Sequence, residues 1–281
     1  MKVLVTGASG MVGRAVVDLC SEAGDEVLAR DHARLNIADW SSVVREFQET
    51  SPAAVINCAA WTDVDGCERE PERSYAANAT GPQNLARAAA MSNSAFVTIS
   101  TDYVFAGDKE GFYTQDDEPG PISVYGKSKL QGEEDARAAY SKTIVVRTGF
   151  IFGPGGRNFL SKINEPLREG KQVGAISDAW GTPTYAVHLA RRLRELALLN
   201  QPGIFHVVNN SEGTTYEEFA RFVGQEVGAD PSLVRGVLSE TLNRPAPRPR
   251  NSRLKCLLSP VVGLAPLPEW RVAVREFLST S

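Results

Sequence analysis

Hydrophobic positions in the first half of the chain follow two alternating rhythms. The run KVLVT (2–6) is short, apolar and stops at a Gly-rich turn. Residues 11–23 then carry Met11, Val12, Ala15, Val16 and Leu19 at helical spacing. EVLAR (26–30) predicts a second strand, and DWSSVVREFQE (39–49) a helix capped by its Asp. AAVINCAA (53–60) predicts the third strand, followed by a long helix over 74–91 and the strand AFVTIST (95–101). A helix over 124–139 leads to the strand TIVVRTG (143–149). These strands lack polar alternation, as expected when both faces of a sheet are covered. Strands alternating with helices, joined by right-handed crossovers, predict an α/β fold with a Rossmann-type, doubly wound parallel sheet.

The rhythm changes after about residue 150. Gly and Pro recur in FGPGGRN, WGTPT and RPAPRPR, and elements shorten. Helices are expected over 158–169, 185–199 and 215–227, with one strand at GIFHVVN (203–209). This pattern divides the chain into a dinucleotide-binding unit, 1–152, and a smaller C-terminal substrate-binding region, 153–281. The boundary is soft, since segments of the second half are free to return to the first.

Composition narrows the function classes. The formal net charge of -4 gives no basic footprint for nucleic acid. RPAPRPR (244–250) is read first as a solvated loop and second as a phosphate-facing one. No apolar run reaches the ~18 residues of a membrane span, and the opening strand shows no secretory signal. The four cysteines are scattered and the three histidines isolated. No metal site is expected, and the cytoplasm is the expected compartment.

Candidate chemistry begins at TGASGMVG (6–13), which joins the first strand to the first helix. Gly7 permits a tight turn, Gly10 lets backbone approach a pyrophosphate, and Gly13 lets helix and strand pack closely. The helix start then offers N–H groups and a positive dipole end to phosphate. The spacing is Gly-x-x-Gly-x-x-Gly, and it is its place between strand and helix that points to a dinucleotide. ARDHAR (29–34) ends the second strand with mixed signals. Asp31 suits the ribose hydroxyls of NAD, whereas Arg30 and Arg34 suit a 2′-phosphate. Asn36 and Ile37 are placed beside the adenine. CAAWT (58–62) puts small residues where a cofactor would pass, and packing explains those alanines nearly as well.

YGKSK (125–129) places Tyr125 and Lys129 on one helical face. A phenol titrates near 10, and a cation within ~4–6 Å lowers it by roughly 1–3 units. Lys129 is therefore expected to tune Tyr125 towards acid–base work at neutral pH. Alone, such a pair is more often a half-buried Tyr beside a snorkelling Lys. STDYVF (100–105), at the end of the fourth strand, adds a hydroxyl from Thr101 or Ser100 to orient a carbonyl oxygen.

TGASGMVG, NCAAWTDVDGCEREPERSYAANATGPQNLA, STDYVF, YGKSKLQGE, RTGFIFG, GTPTY and RPRNSRL occur in the order seen in one family. The chain resembles, over nearly its whole length, the dTDP-4-dehydrorhamnose reductases of the extended short-chain dehydrogenase/reductase superfamily. The resemblance implies Thr101, Tyr125 and Lys129 as the catalytic set. It implies cofactor contacts from Gly10, Met11, Val12, Asn36, Ile37, Ala60 and Thr62, with Tyr125 and Lys129. It puts Val64, Asp102, Tyr103 and Phe150 at the sugar. It also implies NADPH, with NADH accepted too, and a nucleotide-linked 4-keto-6-deoxy sugar as substrate. The chain departs from the family in three places. Phe150 stands where Trp is common, Asp178-Ala179 where Asp-Gln is usual, and Ala15 and Val187 where some members hold metal through glutamates. A homodimer is compatible with the chain but does not follow from it. A sugar-nucleotide epimerase or dehydratase shares the fold and the Tyr/Lys pair. A non-catalytic NADP-binding module, similar to the regulatory subunit of methionine adenosyltransferase, is the third reading.

Overall fold

The computed structural model describes residues 1–280. The strands β1 (Lys2–Thr6), β2 (Glu26–Arg30), β3 (Ala54–Asn57), β4 (Ala95–Thr101) and β5 (Ile144–Thr148) lie in one sheet with a sixth, Gly203–His206. Every pairing is parallel, and the spatial order is Gly203–His206, β5, β4, β3, β1, β2. The chain therefore leaves β1 to one side for β2 and returns to the other for β3.

Strand residues alternate between two cores. Val3, Val5, Ile56, Val97 and Val146 face one layer, where Val16 and Cys20 of helix α1 (Met11–Glu22) meet Leu189, Leu193 and Leu196. Leu4, Val55 and Phe96 face the other, against Val43 and Phe47 of helix α2 (Trp40–Thr50) and Leu85. Asp39 caps α2 by accepting from the Ser41 amide at 3.1 Å.

The strand GIFHVVN, expected within the substrate region, instead extends the main sheet beside β5. The helix before it, Ala186–Leu199, likewise packs on the sheet through Leu189, Leu193 and Leu196. A separate cluster, including Phe152, Phe219, Trp270 and Phe277, fills the second half.

Two expected helices are interrupted. The predicted 74–91 helix becomes Pro71–Tyr75, a π turn over Ala76–Thr80, and Gly81–Ser92. Pro82 has no N–H to return to the Asn78 carbonyl, which breaks the α-helical ladder there. The 158–169 helix becomes Phe159–Lys162 and Asn164–Arg168, since Pro166 cannot donate to Lys162. Among the described residues no helix is long and apolar enough to cross a membrane.

Candidate active site

The reversal of strand order between β1 and β3 opens a crevice at their carboxyl ends, the place where such sheets bind ligands. A cavity of about 610 Å³ lies there. Gly10, Met11, Val12 and Gly13 form one wall and Cys58, Ala59, Ala60 and Thr62 another. Gly7, beneath the turn, has φ 65, and a Cβ there would stand 2.6 Å from the Ala59 nitrogen. A Cβ on Gly13 would fall 2.1 Å from the Gly7 carbonyl oxygen. No side chain caps α1 at Gly10, so its leading N–H groups and positive dipole end are left for an anion. Small residues opposite a free helix start fit a dinucleotide diphosphate.

At the far end of the cavity stand Thr101, Asp102, Tyr103, Tyr125 and Lys129. Thr101 ends β4. Its hydroxyl donates to Asp102 Oδ1 at 3.0 Å and accepts from the Tyr103 amide at 3.2 Å. Ser100 donates instead to the Glu133 carboxylate, which also holds Arg147 in a buried bidentate pair. Of the two hydroxyls left open by the sequence, Thr101 is the one that meets Tyr125.

The helix Val124–Ala139 carries Tyr125 and Lys129. Ser123 caps it by accepting from the Gly126 amide. Gly126 brings it close to the end of β4, since a Cβ there would lie 2.3 Å from the Tyr103 carbonyl oxygen. Burial pushes the Tyr125 phenol well above its ordinary range, while the Thr101 hydroxyl draws it down. Lys129 is buried too, and desolvation lowers it to about 8 against the opposing pull of Glu133. Its Nζ donates to the Ile99 carbonyl at 2.6 Å. The expected lowering of Tyr125 by Lys129 is thus not what this arrangement displays. Loss of water dominates both groups and shifts each towards its neutral form.

Asp102 is 3% exposed, and burial raises its carboxyl to about 6. Val64 and Phe150 complete the apolar side of the cavity. Phe150 holds φ 44, a left-handed backbone uncommon for a bulky residue.

The second-strand candidates lie outside the cavity wall. The Arg30 guanidinium is paired with Glu46 at 2.9 Å. Asp31 accepts from the Arg34 amide and Asn36 from the Ala38 amide, each within its own turn. The Ile37 side chain is in the core.

Sequence reading missed a second chamber of about 340 Å³ that adjoins the first. RPAPRPR, read first as a solvated loop, lines it with Arg244, Arg248 and Arg250. Proline spacing had suggested solvent. In the fold, Asp65 holds the segment inward through a bidentate pair with Arg248 at 3.0 Å and a bond from the Ala246 amide. Tyr216, which lines both chambers, was also missed. Only the helix-start signature Thr215-x-x-Glu218 marked its position.

A doubly wound sheet, a glycine cradle at its switch point and a Thr/Tyr/Lys set facing the same cavity define a dinucleotide-dependent oxidoreductase of the short-chain dehydrogenase/reductase type. The family model for the RmlD substrate binding domain matches residues 1–281. The dTDP-4-dehydrorhamnose reductase of Mycolicibacterium smegmatis is 39% identical over 98% of this chain and 84% of its own length. The crystal structure of a dTDP-4-dehydrorhamnose reductase from Clostridium acetobutylicum superposes with TM-score 0.94 at 34% identity, covering 100% of this chain and 99% of that one. The Bacillus anthracis dTDP-4-dehydrorhamnose reductase, solved in complex with NADP, gives TM-score 0.95 at 30% identity, with 100% of each chain covered. The chain belongs to the dTDP-4-dehydrorhamnose reductase family.

Proposed function

We propose that this chain reduces dTDP-4-dehydro-L-rhamnose to dTDP-L-rhamnose with NADPH, and accepts NADH as well. The observation that carries the reading is that Thr101, Tyr125 and Lys129 share one cavity with the glycine cradle. Bound in the cradle, the dinucleotide supplies the hydride. Tyr125 gives the proton. Its raised pKa keeps the phenol protonated at neutral pH, and Thr101 holds the carbonyl oxygen towards it by turning its one proton from Asp102 to that oxygen. Lys129 supplies the positive charge against which the phenolate forms. Val64, Tyr103 and Phe150 give the apolar wall that a 6-methyl group requires, and the arginine-lined chamber suits the nucleotide diphosphate. The exposed Arg34, more than the paired Arg30, is available to a 2′-phosphate, and Asp31 supports NADH.

The test is incubation with the dTDP-4-keto sugar and NADPH, following the loss of reduced-nicotinamide absorbance and assigning the product at C4 by NMR. Tyr125→Phe should slow turnover ~10²–10⁴-fold while dinucleotide affinity stays near wild type. The reading fails if no dTDP-linked 4-keto sugar is reduced. A dinucleotide retained through purification, cycling during epimerisation, would put an epimerase in its place.

A further inference from the structure

Five residues line both chambers: Tyr103, Phe150, Ile176, Tyr216 and Arg244. A ligand with its sugar at Tyr125 and its nucleotide among the arginines must thread its diphosphate between them. We propose that Tyr216 is a substrate-positioning residue whose phenol hydroxyl donates to the sugar-linked phosphate in this throat. The proposal rests on the nucleotide-sugar reading above.

Three features of the structure carry it. The ring of Tyr216 is fixed before any ligand arrives. It lies 4.4 Å from the Phe150 ring and 5.8 Å from that of Phe159, centroid to centroid. Tyr216 also opens the helix Tyr216–Glu226, whose start is pinned by the reciprocal Thr215 and Glu218 bonds. The second feature is electrostatic. The phenol feels Asp102 from the sugar side and Arg244 and Arg248 from the other. That is the gradient expected where a neutral polar sugar gives way to an anionic phosphate. The third is bonding capacity. The hydroxyl lies beside the Tyr103 phenol. Since a phenol has one proton and two lone pairs, it can accept from Tyr103 and still donate onward. Burial pushes it up to about 12, so it meets phosphate as a protonated donor.

Tyr216→Phe keeps the ring and removes only the hydroxyl. Titration calorimetry with dTDP and with dTMP reads the contact without turnover, because only dTDP carries the second phosphate. The expected result is ~10-fold weaker dTDP binding, the size of one hydrogen bond to a charged group, with dTMP changed less than about twofold. KM for the dTDP-4-keto sugar should rise by a similar factor. The kcat and NADPH affinity should hold, since the group touches no reacting atom. Unchanged dTDP affinity overturns the proposal. Equal losses for dTDP and dTMP, or a fall in kcat alone, also overturn it, because they would mark a distorted pocket instead of a lost phosphate contact. A wild-type protein that binds neither nucleotide overturns the underlying substrate reading, and this proposal with it.

Discussion

Asp102 is a costly residue to keep where it is. Its carboxyl is buried, its Oδ2 lacks a hydrogen bond, and burial outweighs the neighbouring Ser252 and Thr101 hydroxyls to raise it from 3.8 to about 6. The sign of its linkage to folding follows. Below about pH 4 both folded and unfolded forms are protonated, and burial of the acid carries no ionic penalty. Between about 4 and 6 the unfolded chain ionises first, so stability falls as pH rises. Above about 6 the penalty is complete. At 1.36 kcal/mol per unit it is on the order of 3 kcal/mol. Asp102→Asn should therefore raise the thermal midpoint at pH 7–8, lose that advantage below pH 4, and lower turnover because the sugar end of the site loses its carboxylate. A variant no more stable than wild type at neutral pH would show that the carboxyl is well paired in solution. The family resemblance had placed this residue at the sugar. It gave no sign of the charge state, which depends on groups as distant along the chain as Ser252.

Local signals marked most elements closely. The 95–101 and 26–30 strands and the 124–139 helix fall where the apolar pattern put them, because period and caps are local properties. The π turn at Ala76–Thr80 joins the local break at Pro82 to a tertiary contact that the apolar pattern does not show. Asn78 turns its carboxamide to the Trp61 backbone, accepting from the amide at 2.9 Å and donating to the carbonyl at 3.0 Å. It also donates to Ser128 Oγ at 3.1 Å, next to Lys129. One side chain thus ties the cavity-lining loop 58–62 to the helix that carries Tyr125. Asn78→Ala would leave several buried polar groups unsatisfied, a cost of about 1–3 kcal/mol each where water cannot replace the bond. The expected outcome is a lower denaturant midpoint together with weaker NADPH binding, read by chemical denaturation and by fluorescence titration. Loss of stability with unchanged dinucleotide affinity would mean that the loop keeps its shape without Asn78.

The chain's two halves read as separate units in sequence because the helix–strand rhythm falters near residue 150. Packing does not follow that division. A strand edge carries no mark in its own residues of which neighbour will cover it, so β5 gave no warning that Gly203–His206 would pair with it. The helix Ala186–Leu199 likewise supplies Leu189, Leu193 and Leu196, each fully buried, to the layer that holds Val16 of α1. Burying each such side chain is worth about 1.5–3 kcal/mol, so losing the three removes on the order of 5 kcal/mol or more. That is comparable with the whole stability of an ordinary domain, about 5–15 kcal/mol. It would also uncover an unpaired strand edge open to association with other chains. A fragment of residues 1–152, though it contains the glycine cradle, Thr101, Tyr125 and Lys129, should therefore fail to fold. It should show no cooperative thermal transition, no dispersed amide spectrum, and no saturable NADPH binding. A dispersed spectrum with dinucleotide affinity near that of the full chain would show instead that the first five strands and their helices are a self-sufficient unit, and that the returning helix and strand are an addition to it.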